Sequence, residues 1–92
     1  MPFTWDPAKN ERNVAERGIP LSLAEAMDWS SALIAQDTRE VYAERRDQVM
    51  GFIGDDLHML VFTPRDGAVH VISLRRANKR ERTRYGNAQT QA

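Results

Sequence analysis

From its amino end the chain alternates between two periodicities. Phe3-Thr4-Trp5 alternates apolar and polar side chains and predicts a short strand. Asp6-Pro7 then opens a helix, because an aspartate side chain accepts from free first-turn amides and proline fits where no N–H is needed. The helix runs through Val14 and stops at Gly18, a natural left-handed cap. Ser22 and Glu25 have capping-box spacing, and Leu21 and Ala26 stand as a hydrophobic staple. They predict a second helix from Leu23 to about Trp29, with Leu23, Ala26 and Met27 on its apolar face.

Strand signals follow. Ala32-Leu33-Ile34-Ala35 is a short apolar run, and the charged stretch from Thr38 to Asp47 reads as a loop. Gln48–Ile53 and Leu57–Thr63 are strands joined by a hairpin turn at Gly54-Asp55-Asp56. Pro64-Arg65-Asp66-Gly67 is a second turn, with proline set for its first corner and glycine for positive φ. Ala68–Leu74 is the last strand. Asn78 and Glu81 repeat the capping-box pattern and start a helix to about Tyr85. Asn87 to Ala92 is polar and aperiodic, a frayed tail. The order β-α-α-β-β-β-β-α, with tight turns between strands, predicts an α+β domain over residues 1–86. Its sheet is mostly antiparallel, of about four to five strands, with two N-terminal helices and one C-terminal helix.

Charge adds the first functional information. The 92 residues have zero formal net charge, yet twelve of thirteen acidic side chains precede Arg75, while six of thirteen basic ones lie from Arg75 onward. Such polarity fits a phosphate-rich partner, or equally an acidic protein surface. Cysteine is absent, which excludes disulfides, a thiol nucleophile and cysteine-ligated zinc. The two histidines stand far from any ligand spacing, so neither a metal site nor a cofactor is expected. No apolar run approaches a membrane span, and the first residues lack a signal-peptide pattern, so a cytoplasmic protein without membrane contact is expected.

Several segments resemble one family. Trp5-Asp6-Pro7-Ala8-Lys9, Asn13-Val14 and Gly18 are similar to the opening of the BrnT ribonuclease toxins. Gly51-Phe52-Ile53-Gly54 and Leu60-Val61-Phe62-Thr63 fit that family's hairpin. Val71-Ile72-Ser73, Arg75-Arg76-Ala77, Glu81-Arg82 and Tyr85 fit its close. The resemblance implies a RelE-like fold and metal-independent RNA cleavage. It also implies neutralisation by a BrnA-like antitoxin bearing a ribbon-helix-helix segment, in a dimeric or heterotetrameric assembly. Two positions depart from the pattern: Glu16-Arg17-Gly18 stands for the common Lys-His-Gly, and His70 for a common arginine. A guanidinium does not deprotonate near neutral pH, so Arg17 cannot move the proton a histidine would.

Metal-free RNA cleavage uses the ribose 2′-hydroxyl as nucleophile and needs a base, an acid and cations around phosphorus. His70 is the candidate proton carrier, its alternative being a histidine at the edge of a core beside Ile72 and Leu74. Arg75 and Arg76 are candidate phosphate clamps, or surface arginines on opposite faces. Glu81 and Tyr85, one helical turn apart, are the rival acid–base pair; their structural alternatives are a helix cap and a ring packed on the sheet. Lys9, Arg17 and Arg80 are candidate RNA contacts, and Arg80, Arg82 and Arg84 candidate antitoxin contacts. His58 is expected to be solvated, and Trp5 and Trp29 to serve the core. The competing reading keeps the fold without chemistry, as a module binding protein or nucleic acid.

Overall fold

A computed structural model describes residues 2–90. In chain order it has strand β1 (Phe3–Trp5), helix α1 (Pro7–Arg17), two 3₁₀ turns (Leu21–Ala26 and Trp29–Ser31), strands β2 (Leu33–Gln36), β3 (Asp47–Ile53), β4 (Asp56–Arg65) and β5 (Ala68–Arg76), and helix α2 (Lys79–Thr90). The strands form one sheet in the order β1-β5-β4-β3-β2. β2 through β5 pair antiparallel, whereas β1 lies parallel to β5 with Thr4 opposite His70. The sheet is therefore mixed. No tight turn links β1 to its neighbour, since most of the chain intervenes, so nothing local imposes an antiparallel pairing.

Helix α1 starts as its sequence predicts: Asp6 accepts from the Ala8 amide at 2.9 Å, and Gly18 takes the left-handed cap. Its anchoring is polar. Val14 is 44% exposed, while Asn13 is buried and donates to the carbonyls of Ile19 at 2.8 Å and Leu74 at 2.9 Å. The Leu74 carbonyl lies on β5 where β1 has ended, so Asn13 satisfies an open sheet edge.

The expected second helix is instead the pair of 3₁₀ turns. Leu21, Ala24 and Met27 recur every third residue and all are buried, the period of a 3₁₀ turn and not of an α-helix. No side chain caps the first turn, so Ser22 and Glu25 form no capping box; Asp28 caps the second turn through Ser30 N. This segment closes the main core, packing Leu21, Ala24 and Met27 over Val49, Leu60, Val69, Val71 and Leu74, with Trp5 and Trp29 at its margin. Gly51 permits the close approach: a Cβ there would stand 2.8 Å from Met27 Sδ and 3.2 Å from Ala32 Cβ.

On the opposite face α2 covers one end of the sheet, burying Met50, Leu57, Met59, Ala77 and Tyr85. The helix continues to Thr90, past Tyr85 and into residues read as tail. Tyr85 and Gln89 both donate to the Ser31 carbonyl, at 2.8 and 3.5 Å, and hold those later turns down. Residues 91 and 92 of that tail lie outside the described residues.

Two local features re-aim β5. The β4–β5 hairpin turns on Asp66 and Gly67 alone, at φ 51° and 75°, a two-residue turn of the mirror-image type. Pro64 consequently belongs to β4, beyond the last β3 partner at Phe62, where its missing N–H is not needed. A bulge pairs Val61 with Ser73 but Phe62 with Val71, leaving Ile72 as the extra residue. Strict alternation would group His70 with Ile72 and Leu74. The bulge instead sends Leu74 into the main core with Val69 and Val71, and brings His70 onto the same face as Arg75 and α2.

Candidate functional site

Helix α2 covers one end of its face of the sheet. Beyond the helix lie Thr4, His70, Thr63, Val61, Ser73 and Gln48, in adjacent positions of neighbouring strands, with Thr63 and Val61 buried. Arg75 stands at the boundary with α2. Its guanidinium grips Glu81 with two bonds, Nη1 to Oε1 at 2.7 Å and Nη2 to Oε2 at 2.8 Å. Glu81 also accepts from the Asn78 amide at 2.9 Å, and Asn78 Oδ1 accepts from the Glu81 amide at 2.8 Å. The capping box is complete, and Arg75 braces it. Hydrogen bonding from Arg75 lowers the Glu81 carboxyl below its ordinary pKa, which weakens it as a base. Tyr85 is buried, edge-on to Phe52 at 5.6 Å, with its hydroxyl given to Ser31.

His70 lies two rows further along the same face. Its Nδ1 is 2.8 Å from the Thr4 hydroxyl, which fixes the ring and leaves Nε2 without a hydrogen-bond partner among the described residues. Partial burial lowers its pKa from 6.5, and Arg65 and Lys9 push it the same way against Glu44 and Asp6. Arg65 is ion-paired to Glu44, tying the loop after β2 to the β4–β5 hairpin beside His70. His58, by contrast, is buried opposite Gly51 on the main-core face, its Nδ1 2.8 Å from the Asp56 carbonyl.

A cation that the sequence reading passed over completes this face. Asp37 is buried and holds Arg39 by two bonds of 2.9 Å, with Tyr42 OH at 3.1 Å. Hydrogen bonding to Arg39 holds the Asp37 carboxyl far below its usual range. Arg39 also reaches Gln48, whose amide oxygen, in the orientation that suits both groups, accepts from Nε at 3.2 Å. Arg39 is close enough to Arg75 to act on it through charge. Its only sequence signal was the Asp37-Thr38-Arg39 spacing inside a segment read as loop.

The remaining candidates separate. Arg76 points away from Arg75, is 74% exposed, and lies 3.8 Å from Asp56. Lys9 and Arg17 share a shallow concavity with Ile72 and Ser73 along the β5 edge, and Arg17 Nη1 donates to Asn13 at 2.9 Å. Arg80 and Arg84 line the outer concavity of α2, whereas Arg82 donates to the Ala77 carbonyl at 2.8 Å. The structure thus gathers His70 and Arg75 on one face with Arg39, buries Tyr85 beneath α2 at the end of that face, sets Arg84 at its margin beside Gln48, and leaves Arg76 and Arg80 elsewhere. Among the described residues no three His, Cys, Asp or Glu side chains converge as a metal-holding group. No helix there is long and apolar enough to cross a membrane.

Comparison with known proteins gives this arrangement its class. Residues 5–81 match the family described as the ribonuclease toxin, BrnT, of type II toxin–antitoxin systems. The class is therefore that of toxins paired with an antitoxin. The 1.1 Å crystal structure of the Brucella abortus ribonuclease toxin BrnT is similar at a TM-score of 0.67 and 26% identity, covering 86% of this chain and 99% of that one. No curated protein matches in sequence. The chain belongs to the BrnT family of ribonuclease toxins.

Proposed function

We propose that the chain is an endoribonuclease that cleaves RNA without a metal ion, on the sheet face that carries His70 and Arg75, and that a ribbon-helix-helix antitoxin neutralises it. The observation that carries this reading is His70: its Nδ1 is held by Thr4, and burial and Arg65 favour the neutral imidazole. With Nδ1–H donating to the Thr4 hydroxyl, Nε2 of the neutral ring carries no proton and is a base near pH 7. In the proposed step Nε2 takes the proton of a ribose 2′-hydroxyl. The 2′-oxygen attacks the adjacent phosphorus, the bond to the 5′-oxygen breaks, and that oxygen takes a proton from water. The product ends in a 2′,3′-cyclic phosphate. DNA has no such nucleophile and is spared.

With Ile72 bulged, His70 and Arg75 stand opposite Thr63 and Met59, four steps of β4 or about 13 Å apart at roughly 3.3 Å per residue. They therefore serve different phosphates. Arg65 and Lys9 act at the phosphate beside His70, and Arg75 with Arg39 grips a neighbouring one. Glu81 and Tyr85 are positioning residues in this account: Glu81 sets Arg75 and the start of α2, and Tyr85 fixes the helix to the sheet.

The test is cleavage by His70→Gln against wild type. A fall of about 10²–10⁴-fold is expected from loss of a general base. An unchanged rate with the same pH profile would remove His70 from the mechanism. Binding of RNA by wild type without cleavage would favour the non-catalytic module.

A further inference from the structure

The end of the sheet opposite β1 is the edge strand β2, whose outer side pairs with nothing among the described residues. Exposed sheet edges are normally blunted by charge, proline or a bulge. β2 reads Leu33-Ile34-Ala35-Gln36, with none of these, and Ile34 is 56% exposed. Against this edge, between it and α2, runs a groove of about 310 Å³ with Leu33, Ile34, Ala35, Met50 and Met59 in its wall and Arg84 at its rim. Arg84 also borders the neighbouring concavity with Lys79 and Arg80. An unprotected edge, an apolar floor and a rim whose charges are all positive occur together.

We infer that β2 is the docking edge for an extended acidic segment of the antitoxin, which adds a strand to the sheet and drops alternate apolar side chains into this groove. Free backbone groups on the edge supply main-chain hydrogen bonds, and alternation supplies one inward side chain every second residue. Acidic side chains between them meet Arg84 and Arg80. An RNA strand suits the site poorly, because its floor is aliphatic and its edge offers peptide groups. A helix with its side chains is about 10–12 Å across and cannot use the free edge.

The position explains inhibition. Gln48 lines the groove and also contacts Arg39, and Met59 pairs with Arg75 in the sheet. A segment on β2 therefore abuts Arg39 and Arg75 of the proposed RNA face. This inference rests on the toxin–antitoxin reading and adds to it the place and form of the contact.

The experiment is hydrogen exchange on the full chain alone, with RNA, and in complex with the antitoxin co-produced from the adjoining reading frame. Affinities are measured for wild type and for Ala35→Arg, which fills the groove from an exposed position. The chain alone should be monomeric. The complex should slow exchange at Leu33–Gln36, and Ala35→Arg should weaken antitoxin binding at least tenfold while still cleaving RNA at the wild-type rate. A complex that forms with β2 unprotected, or is indifferent to Ala35→Arg, overturns the docking edge and leaves the toxin reading standing. Failure to form any complex overturns both. Protection of β2 in a dimer of the chain itself, or by RNA, assigns the edge to another occupant and overturns the inference.

Discussion

The role proposed for His70 depends on its neighbours, and each neighbour gives a separable prediction. Burial and Arg65 lower its pKa, so the acid limb of the cleavage profile should fall below pH 6.5, with activity lost as the ring protonates. Arg65→Gln removes a repelling cation and releases Glu44, both of which favour the protonated ring, so that limb should move to higher pH. A limb that stays put or moves down would contradict the assignment. Thr4→Val should lower kcat more than it raises KM, with Thr4→Ser restoring the rate, because the hydroxyl orients the ring. Equal loss in Thr4→Ser would mean that Thr4 is merely structural. Part of the candidate site was legible from residues alone: His70 and Arg75 stand out by type and place. Their common face was not. It depends on Ile72 being a bulged residue, and an apolar residue in an apolar run gives no sign of a break in alternation.

At the scale of elements, two capping-box patterns with the same spacing had opposite fates. Asn78 and Glu81 close theirs because Glu81 is also held by Arg75, whereas Ser22 and Glu25 lie in a segment whose every third residue is drawn into the core. Local propensity was overridden there by tertiary packing. The period-three burial of Leu21, Ala24 and Met27 was present in the sequence but competes with an equally plausible α-helical face. Helix α1 was placed correctly by Asp6, Pro7 and Gly18, yet no sequence pattern names Asn13 as its anchor, since that role exists only once the β5 edge is in place. Tyr85→Phe should cost about 1 kcal/mol in a denaturation experiment, for one hydrogen bond to Ser31, and leave cleavage nearly unchanged. Strong loss of cleavage without loss of stability would return Tyr85 to the chemistry. Asp37 carries a depressed pKa through Arg39, so its stabilisation is present above about pH 3.8 and is lost as pH falls toward its lower folded value. Asp37→Asn should therefore destabilise by about 1–3 kcal/mol at neutral pH and flatten the acid side of the stability curve; an unaltered curve would refute the coupling.

Across the whole molecule, the acidic body and basic C-terminal segment seen in the sequence survive folding as a helix with Arg80 and Arg84 along its outer concavity and Arg84 also at the rim of the β2 groove. Association with an acidic antitoxin should therefore be fast and fall steeply with salt, and charge reversal at Arg80 and Arg84 should slow it while sparing the fold. An association rate indifferent to ionic strength would contradict that. The order of elements and the α+β class were readable from periodicity and turns, because each hairpin is local. The parallel β1–β5 pair was not, because it joins residues at the two ends of the chain. The most direct test of the account is cleavage of RNA by the purified chain in EDTA, with the new ends identified. Cleavage should persist and leave 2′,3′-cyclic phosphate, and a 2′-deoxy substitution at the cleaved nucleotide should stop it. Loss of cleavage in EDTA with recovery in magnesium, or products ending in a free 3′-hydroxyl, would contradict the mechanism.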